Sequence, residues 1–146
     1  MSVRSHLALL AVLLAASACG SSQQSAGSEA GKPRVFFAEP KDGAAVTSPV
    51  HLKFGVENYQ LSPVPQGTVE KARPAMGHHH VGVDKDCRPV GTAIVKGTPS
   101  WVHFGDGKSE IDMQLPQGQH KLTLQLGDDL HTTIEGLCQT ITVNVQ

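Results

Sequence analysis

Residues 111–126 read IDMQLPQGQHKLTLQL, and this stretch decides the fold class. Apolar and polar residues alternate over residues 111–115, and the alternation starts again over residues 120–126. A period of two places one set of side chains on each face of a β-strand. Between the two runs, residues 116–119 (PQGQ) have the composition of a tight connection. The stretch therefore predicts two strands, each with one face directed towards a core.

The same alternation recurs on both sides of this stretch. Residues 58–74 instead carry three prolines and no period, which predicts a long irregular loop. No part of the chain after residue 31 shows a sustained helical period. Short strands separated by turns predict an all-β fold, an antiparallel immunoglobulin-like β-sandwich of about seven strands. The other predicted strands cover residues 35–38, 50–56, 78–83, 92–96, 101–104 and 141–145.

The N-terminus has the pattern of an export signal. Arg4 precedes an unbroken apolar run over residues 7–16, which is shorter than the roughly 20 residues that span a bilayer as a helix. The run ends in Ala-Ser-Ala before Cys19, which resembles a bacterial lipobox with an acylated cysteine. The alternative is an ordinary secretory signal that is cleaved after Ala18. A polar Gly/Ser/Gln-rich segment follows, and it favours the lipoprotein interpretation.

This pattern divides the chain into three parts. Residues 1–18 are predicted to be a lipoprotein signal peptide, residues 19–32 a flexible tether, and residues 33–146 the folded domain. We expect an exported protein whose partner is the membrane, reached through the lipid on Cys19. Gly20 beside the acylated cysteine predicts the periplasmic face of the outer membrane.

Charge excludes one class of partner. The 146 residues include 12 Lys and Arg against 13 Asp and Glu, so the formal net charge is -1. Nucleic-acid binding depends on a strongly basic surface, which this balance does not provide. We therefore expect no nucleic-acid partner.

Two cysteines remain after Cys19 is assigned to the lipid. Cys87 and Cys138 would lie in an oxidising compartment, which predicts a structural disulfide. Neither has the spacing of a zinc-binding or redox cysteine pair. The bridge could link two sheets or tie a loop to the last strand.

The histidines carry the candidate chemistry. His78 and His80 lie two residues apart on a predicted strand, so their side chains share a face and stand about 6–7 Å apart, while His79 faces the other way with Val81. Two such imidazoles can reach one Cu or Zn ion. The remaining ligands must come from elsewhere in the fold. The candidates for these are His103, His120 and His131, with Met76 as a soft ligand if the ion is Cu(I).

Two histidines also have a simpler interpretation. His120 alternates with Leu122 and Leu124, which favours a core position over a ligand role. His51 alternates with apolar neighbours in the opposite sense and shares the solvent face of its strand with Lys53.

Several motifs together resemble the DUF4399 family, a domain of unknown function found on exported bacterial proteins. The resemblance extends over residues 34–145, and its family name supplies no reaction. It implies that residues 77–80 with His103, His120, Asp128 and His131 belong to one shared pattern. Cys87 and Cys138 lie outside that pattern. The motifs are FAEPKDGA (37–44), GHHH (77–80), HFGDG (103–107), LPQGQH (115–120) and LGD (126–128).

Three classes of function follow from these features. The favoured one is a lipid-anchored module that binds a transition metal, Cu or Zn, through its histidines. The second is a structural or protein-interaction module of the cell envelope with an unknown partner. The third is a metalloenzyme of the superoxide dismutase type, suggested by a sandwich, a His-x-His pair and a disulfide. We expect no enzymatic activity, because the chain has no Ser/His/Asp or paired-carboxylate set that can be placed.

Overall fold

A computed structural model describes residues 31–95 and 97–146. The predicted signal peptide, Cys19 and all but the end of the predicted tether lie outside these residues. In the described part of the chain, no helix is long and apolar enough to cross a membrane. Its strands are β1 (Arg34–Glu39), β2 (Ala44–Val46), β3 (Val50–Glu57), β4 (Gln60–Leu61), β5 (Met76–Val83), β6 (Trp101–His103), β7 (Glu110–Met113), β8 (Gly118–Gly127) and β9 (Thr133–Val145).

The strands form two sheets that pack as a sandwich. The smaller sheet has the antiparallel order β1-β3-β7. The larger sheet has the order β2-β9-β8-β5-β4, and β6 pairs with β5. The prediction of an all-β sandwich is confirmed. Its apolar core contains Val35, Phe37, Val50, Leu52, Phe54, Val81, Phe104, Met113, Leu115, Leu122, Leu124, Leu126, Leu137, Ile141, Val143 and Val145.

Strand β8 is buried on both of its faces over residues 122–127. Leu122, Leu124 and Leu126 are fully buried in the core, as their alternation predicts. The polar residues between them are buried too, because the loop after β5 covers the outer face. The Gln125 side chain accepts a hydrogen bond from the Arg88 amide and donates one to the Arg88 carbonyl. A polar layer therefore lies over the sheet on the side away from the core.

Strand β5 places its histidines on both faces of this sheet. His79 points into the core, where its ring lies 5.0 Å from that of Phe54. His78 and His80 point to the outer face, because they pair with Gly127 and Gln125 of β8. The predicted division of the HHH motif between two faces is confirmed.

The predicted disulfide joins Cys87 and Cys138, whose Cα atoms are 6.1 Å apart. Cys87 lies in the loop after β5, and Cys138 lies on β9 opposite Gln125. Of the two arrangements that the sequence left open, the bridge therefore ties a loop to the last strand.

Three details differ from the sequence predictions. Residues 58–74 include the two-residue strand β4, and β2 was not predicted at all. Both of these short strands pair in parallel, β2 with β9 and β4 with β5, so the larger sheet is not purely antiparallel. The predicted strand over residues 92–96 is wrong over its described part, which forms only an isolated bridge between Ala93 and Thr132. That segment pairs with the connection before β9 and with Thr133, the first residue of β9.

Candidate metal centre

Sheet register brings the first three histidines of the centre together. His78 and His80 share the outer face of β5, and His103 of β6 lies directly opposite His80. Directly opposed residues of antiparallel strands project to the same face. The three rings therefore converge without any contribution from the core of the sandwich.

The fourth histidine comes from the connection between β8 and β9. His131 has a φ of 63°, in the left-handed region that non-glycine residues rarely occupy. A tight turn holds it there: the His131 amide donates to the Asp128 carbonyl, and the Asp128 carboxylate accepts from the Thr132 amide. The Ile94 amide donates to the His131 carbonyl and fixes the turn against a second loop. His131 is thus held over the sheet by backbone hydrogen bonds.

The four histidines form a compact cluster. One ring nitrogen from each lies within 4.8 Å of those of the other three. Ring centroids are 4.6 Å apart for His78 and His80, and 5.5 Å apart for His80 and His131. The Nε2 atoms of His103 and His131 lie 3.0 Å apart, so one donates a hydrogen bond to the other. The arrangement presents four imidazole nitrogens to a single point.

His78 and His80, called the inner histidines below, are buried, but their ring nitrogens lack hydrogen-bond partners. His78 and His80 are 0% exposed. Within the described chain, neither ring nitrogen of either residue has a hydrogen-bond partner. A buried polar atom that is left unpaired costs about 1–3 kcal/mol, so four such atoms in one place are a strong indication of a ligand site.

Burial also keeps these rings neutral. Burial, together with repulsion from the neighbouring histidines, lowers the pKa of His78 to about 3 and the pKa of His80 to about 2. A metal binds the unprotonated nitrogen, so at neutral pH no proton has to leave these two ligands.

An ion pair between the half-buried Arg73 and the buried Asp129 fixes the turn that carries His131. The Asp129 carboxylate, with only 1% of its side chain exposed, accepts hydrogen bonds from the backbone amide, Nε and Nη2 of Arg73 at 2.8–2.9 Å. These contacts lower the pKa of Asp129 to about 2. Arg73 also donates to the Pro63 carbonyl, so the pair fastens the 58–74 loop to the turn that carries His131. Sequence reasoning missed this pair, since the two residues are 56 positions apart.

Two glycines make room for the rings. A Cβ on Gly127 would lie 2.9 Å from Cε1 of His80 and 3.2 Å from the Cα of His131. A Cβ on Gly105 would lie within 2.3 Å of Cε1 of His103. Gly105 belongs to the motif HFGDG and Gly127 to LGD, but no pattern in these motifs links the glycines to ring positions.

The structure does not bring every predicted ligand to the cluster. His120 belongs to a different part of β8, where its Nδ1 lies 3.0 Å from the Asp84 carboxylate and its Nε2 lies 3.0 Å from the Pro116 carbonyl. Along the strand it is five residues from Gln125, or about 17 Å. The expectation that His120 joins His78 and His80 is corrected accordingly.

The other predicted positions are as follows. His51 is exposed beside Asp112, as its strand alternation predicts. Met76 is the first residue of β5 and shares the strand face of His78. His79 donates from Nδ1 to the Lys108 carbonyl at 3.1 Å and is a core residue.

This cluster lies within the part of the chain that a family model matches. The family described as "Domain of unknown function (DUF4399)" matches residues 52–146. The chain belongs to the DUF4399 family. The match includes all four clustered histidines together with Gly105 and Gly127, whereas the FAEPKDGA motif lies before it. No curated protein and no solved structure matches the chain. The family description names no activity, so the function of this DUF4399 domain rests on its own residues.

The low histidine pKa values predict acid sensitivity of the metal-free protein. The unfolded chain takes up protons near pH 6.5, whereas folded His78 and His80 resist them to about pH 3 and about pH 2. Stability is therefore full above about pH 6.5 and falls on acidification, by on the order of 1 kcal/mol per pH unit for each histidine. We expect urea unfolding to show this loss between pH 6.5 and 4.5, above the range in which most carboxylates titrate.

Two variants test whether His78 and His80 cause this pH dependence of stability. His78→Leu with His80→Leu removes the unpaired nitrogens, so we expect a shallower pH dependence and a higher stability at pH 5. His51→Gln changes an exposed histidine and should leave the pH dependence as it is. A free energy of unfolding that stays constant from pH 6.5 to 4.5 in the parent protein would contradict the assignment.

Gly127 offers a steric prediction. Gly127→Ala places a methyl group against His80 and His131, so we expect metal affinity to fall about tenfold and stability by about 1–3 kcal/mol. Gly91→Ala is the matched control: its Cβ meets open space, but its φ of 76° strains an alanine. That variant should lose stability and keep its metal affinity, as measured by titration and urea unfolding. Equal affinities in the two variants would show that Gly127 does not seat the rings.

Proposed function

We propose that this DUF4399 domain binds one transition-metal ion, Cu or Zn, through His78, His80, His103 and His131. The single observation that carries the proposal is the convergence of four imidazoles around buried, unpaired nitrogens. A metal ion coordinates one nitrogen of every ring at once, so it satisfies one unpaired nitrogen of His78 and one of His80, which no single hydrogen-bond donor does. Metal binding therefore accounts for an arrangement that is otherwise unfavourable.

The donor set agrees with this choice of metals. Imidazole nitrogen suits Zn and Cu, whereas Mg and Ca prefer oxygen ligands. Zn–N bonds of about 2.0–2.1 Å place tetrahedral ligand atoms about 3.4 Å apart. The cluster, with nitrogens within 4.8 Å of one another, needs a contraction of roughly 1.4 Å at its widest to reach that spacing.

Two further arguments separate this function from its alternatives. A purely structural role would favour histidines that hydrogen-bond their neighbours, as His120 does, and the inner pair does not follow that pattern. If the ion is Zn, four protein ligands fill its tetrahedral shell and leave no coordination position for the substrate of an enzyme of the superoxide dismutase type. We therefore propose binding and not catalysis.

Titration of metal into the full-length protein tests the proposal. We expect Cu(II), Cu(I) or Zn(II) to bind with one ion per chain, measured by calorimetry and by metal analysis of the purified protein. His78→Ala with His80→Ala removes both inner ligands, so the affinity should fall by at least about 100-fold.

The control variants are chosen from the same residue type. His51→Ala and His120→Ala change histidines outside the cluster and should bind as the parent protein does. Binding that survives loss of both inner ligands, or that is lost in His120→Ala with the fold intact, would overturn the proposed ligand set. Absence of binding in the parent protein would favour the structural or protein-interaction alternative.

We further propose that the domain is exported and anchored by lipid on Cys19, at the periplasmic face of the outer membrane. The support is the lipobox-like sequence before Cys19 and the polar segment after it. An anchor would hold the domain near envelope partners and would concentrate it at the surface without a dedicated binding face.

Fatty-acid labelling in cells tests the anchor. We expect a labelled lipid to be incorporated into the parent protein, and Cys19→Ser to lose both the label and the membrane association. Cys87→Ser is the control, since it removes a cysteine of the folded domain and should keep the label. A mature chain that begins at an unmodified Cys19 would instead establish ordinary secretory cleavage.

A further inference from the structure

The four histidines differ in their access to solvent. His78 and His80 are fully buried on β5, which has strand neighbours on both sides. His103 is only half-buried, at the end of the three-residue strand β6. In the described chain β6 pairs with β5 alone, so it lies at the edge of the sheet. The cluster therefore has a deep side and an outer side.

A surface hollow leads to the outer side. It has a volume of about 610 Å³ and is lined by Gly97, Thr98, Trp101, Val102 and His103 itself. A water molecule takes up about 30 Å³ of liquid, so the hollow admits a donor group much larger than water. An incoming ligand can approach His103 there without opening the sheet.

Backbone hydrogen bonds hold the turn that carries His131. Residues on both sides of His131 are tied down by the Asp128 turn and by the Asp129–Arg73 ion pair. Its own amide and carbonyl are both hydrogen-bonded. His131 is therefore built to stay in place with the two inner histidines, while His103 borders the hollow.

We propose that the bound ion is loaded and removed by ligand exchange through this hollow, with His103 as the exchanging ligand. The inference rests on the metal-binding function proposed above. An incoming donor, such as an imidazole, thioether or thiolate, gives a lone pair to the ion as the bond from the His103 nitrogen breaks. The ion keeps its oxidation state and three histidine ligands throughout. The centre is then an exchangeable site that passes its ion to an acceptor, in contrast to a sealed structural site.

Transfer of Zn(II) from the full-length protein to the chelator 4-(2-pyridylazo)resorcinol tests this route. In direct exchange the chelator takes part in the slow step, so we expect the transfer rate to rise in proportion to its concentration. Thr98→Trp fills the hollow and should slow transfer about tenfold. Because loading and removal share the route, the equilibrium affinity of that variant should stay within about twofold of the parent.

Two control variants complete the test. Thr47→Trp fills a separate hollow of about 370 Å³ bordered by Val46, Pro49 and His51, and should transfer zinc as the parent protein does. Thr98→Ser keeps the hollow open and should also behave as the parent. Slower zinc transfer in Thr98→Trp alone, with unchanged affinity, would support exchange beside His103.

Other outcomes overturn the route and leave the metal site standing. A parent transfer rate that does not depend on chelator concentration would mean that the ion leaves by spontaneous opening. Equal rates in Thr98→Trp and Thr47→Trp would place the route elsewhere. The first of these measurements needs no variant, so it decides the proposal even if Thr98→Trp fails to fold. Failure of the proposed function has a different signature, because zinc then does not bind at equilibrium at all.

Discussion

The structure depends on the burial of His78 and His80 on the outer face of the larger sheet. Four imidazole nitrogens without hydrogen-bond partners are unfavourable there, and the surrounding elements are arranged so that they remain buried and neutral. The loop layer over the sheet excludes water from them, and the turn with His131 completes the cluster. A hydrophobic core alone can stabilise a sandwich, so this second, polar layer is not explained by the core.

The proposed metal centre and the apolar core lie in different parts of the fold. The core lies between the two sheets and stabilises the domain, whereas the centre lies outside the core, on top of one sheet. The disulfide ties down the loop after β5, and the Asp129–Arg73 ion pair holds the turn of His131. Three of the four clustered histidines thus lie on strands of one sheet and the fourth on a turn above it, outside the core.

The same arrangement gives the four histidines of the proposed metal centre unequal access to solvent. Two ligands sit on a central strand and are held by its pairing, while His103 lies at an edge beside a hollow. A site with a rigid inner half and an accessible outer half differs from a closed structural site, in which all ligands are equally sealed. In the proposed centre, the distribution of ligands between strand and edge, and not their chemical identity, would separate storage of an ion from its transfer.

The sequence by itself determined the described strands other than β2 and β4, and the opposite faces of the HHH motif, because a period of two is a local property of an extended backbone. It also selected His103 and His131 as candidates alongside His120. Only the tertiary structure distinguished these three, because sheet register and a turn with a positive φ decide which rings meet. Arg73, Gly105 and Gly127 lay beyond sequence reasoning for the same reason. Their roles follow from contacts between segments that are distant in the chain or from space around a ring, neither of which leaves a periodic pattern.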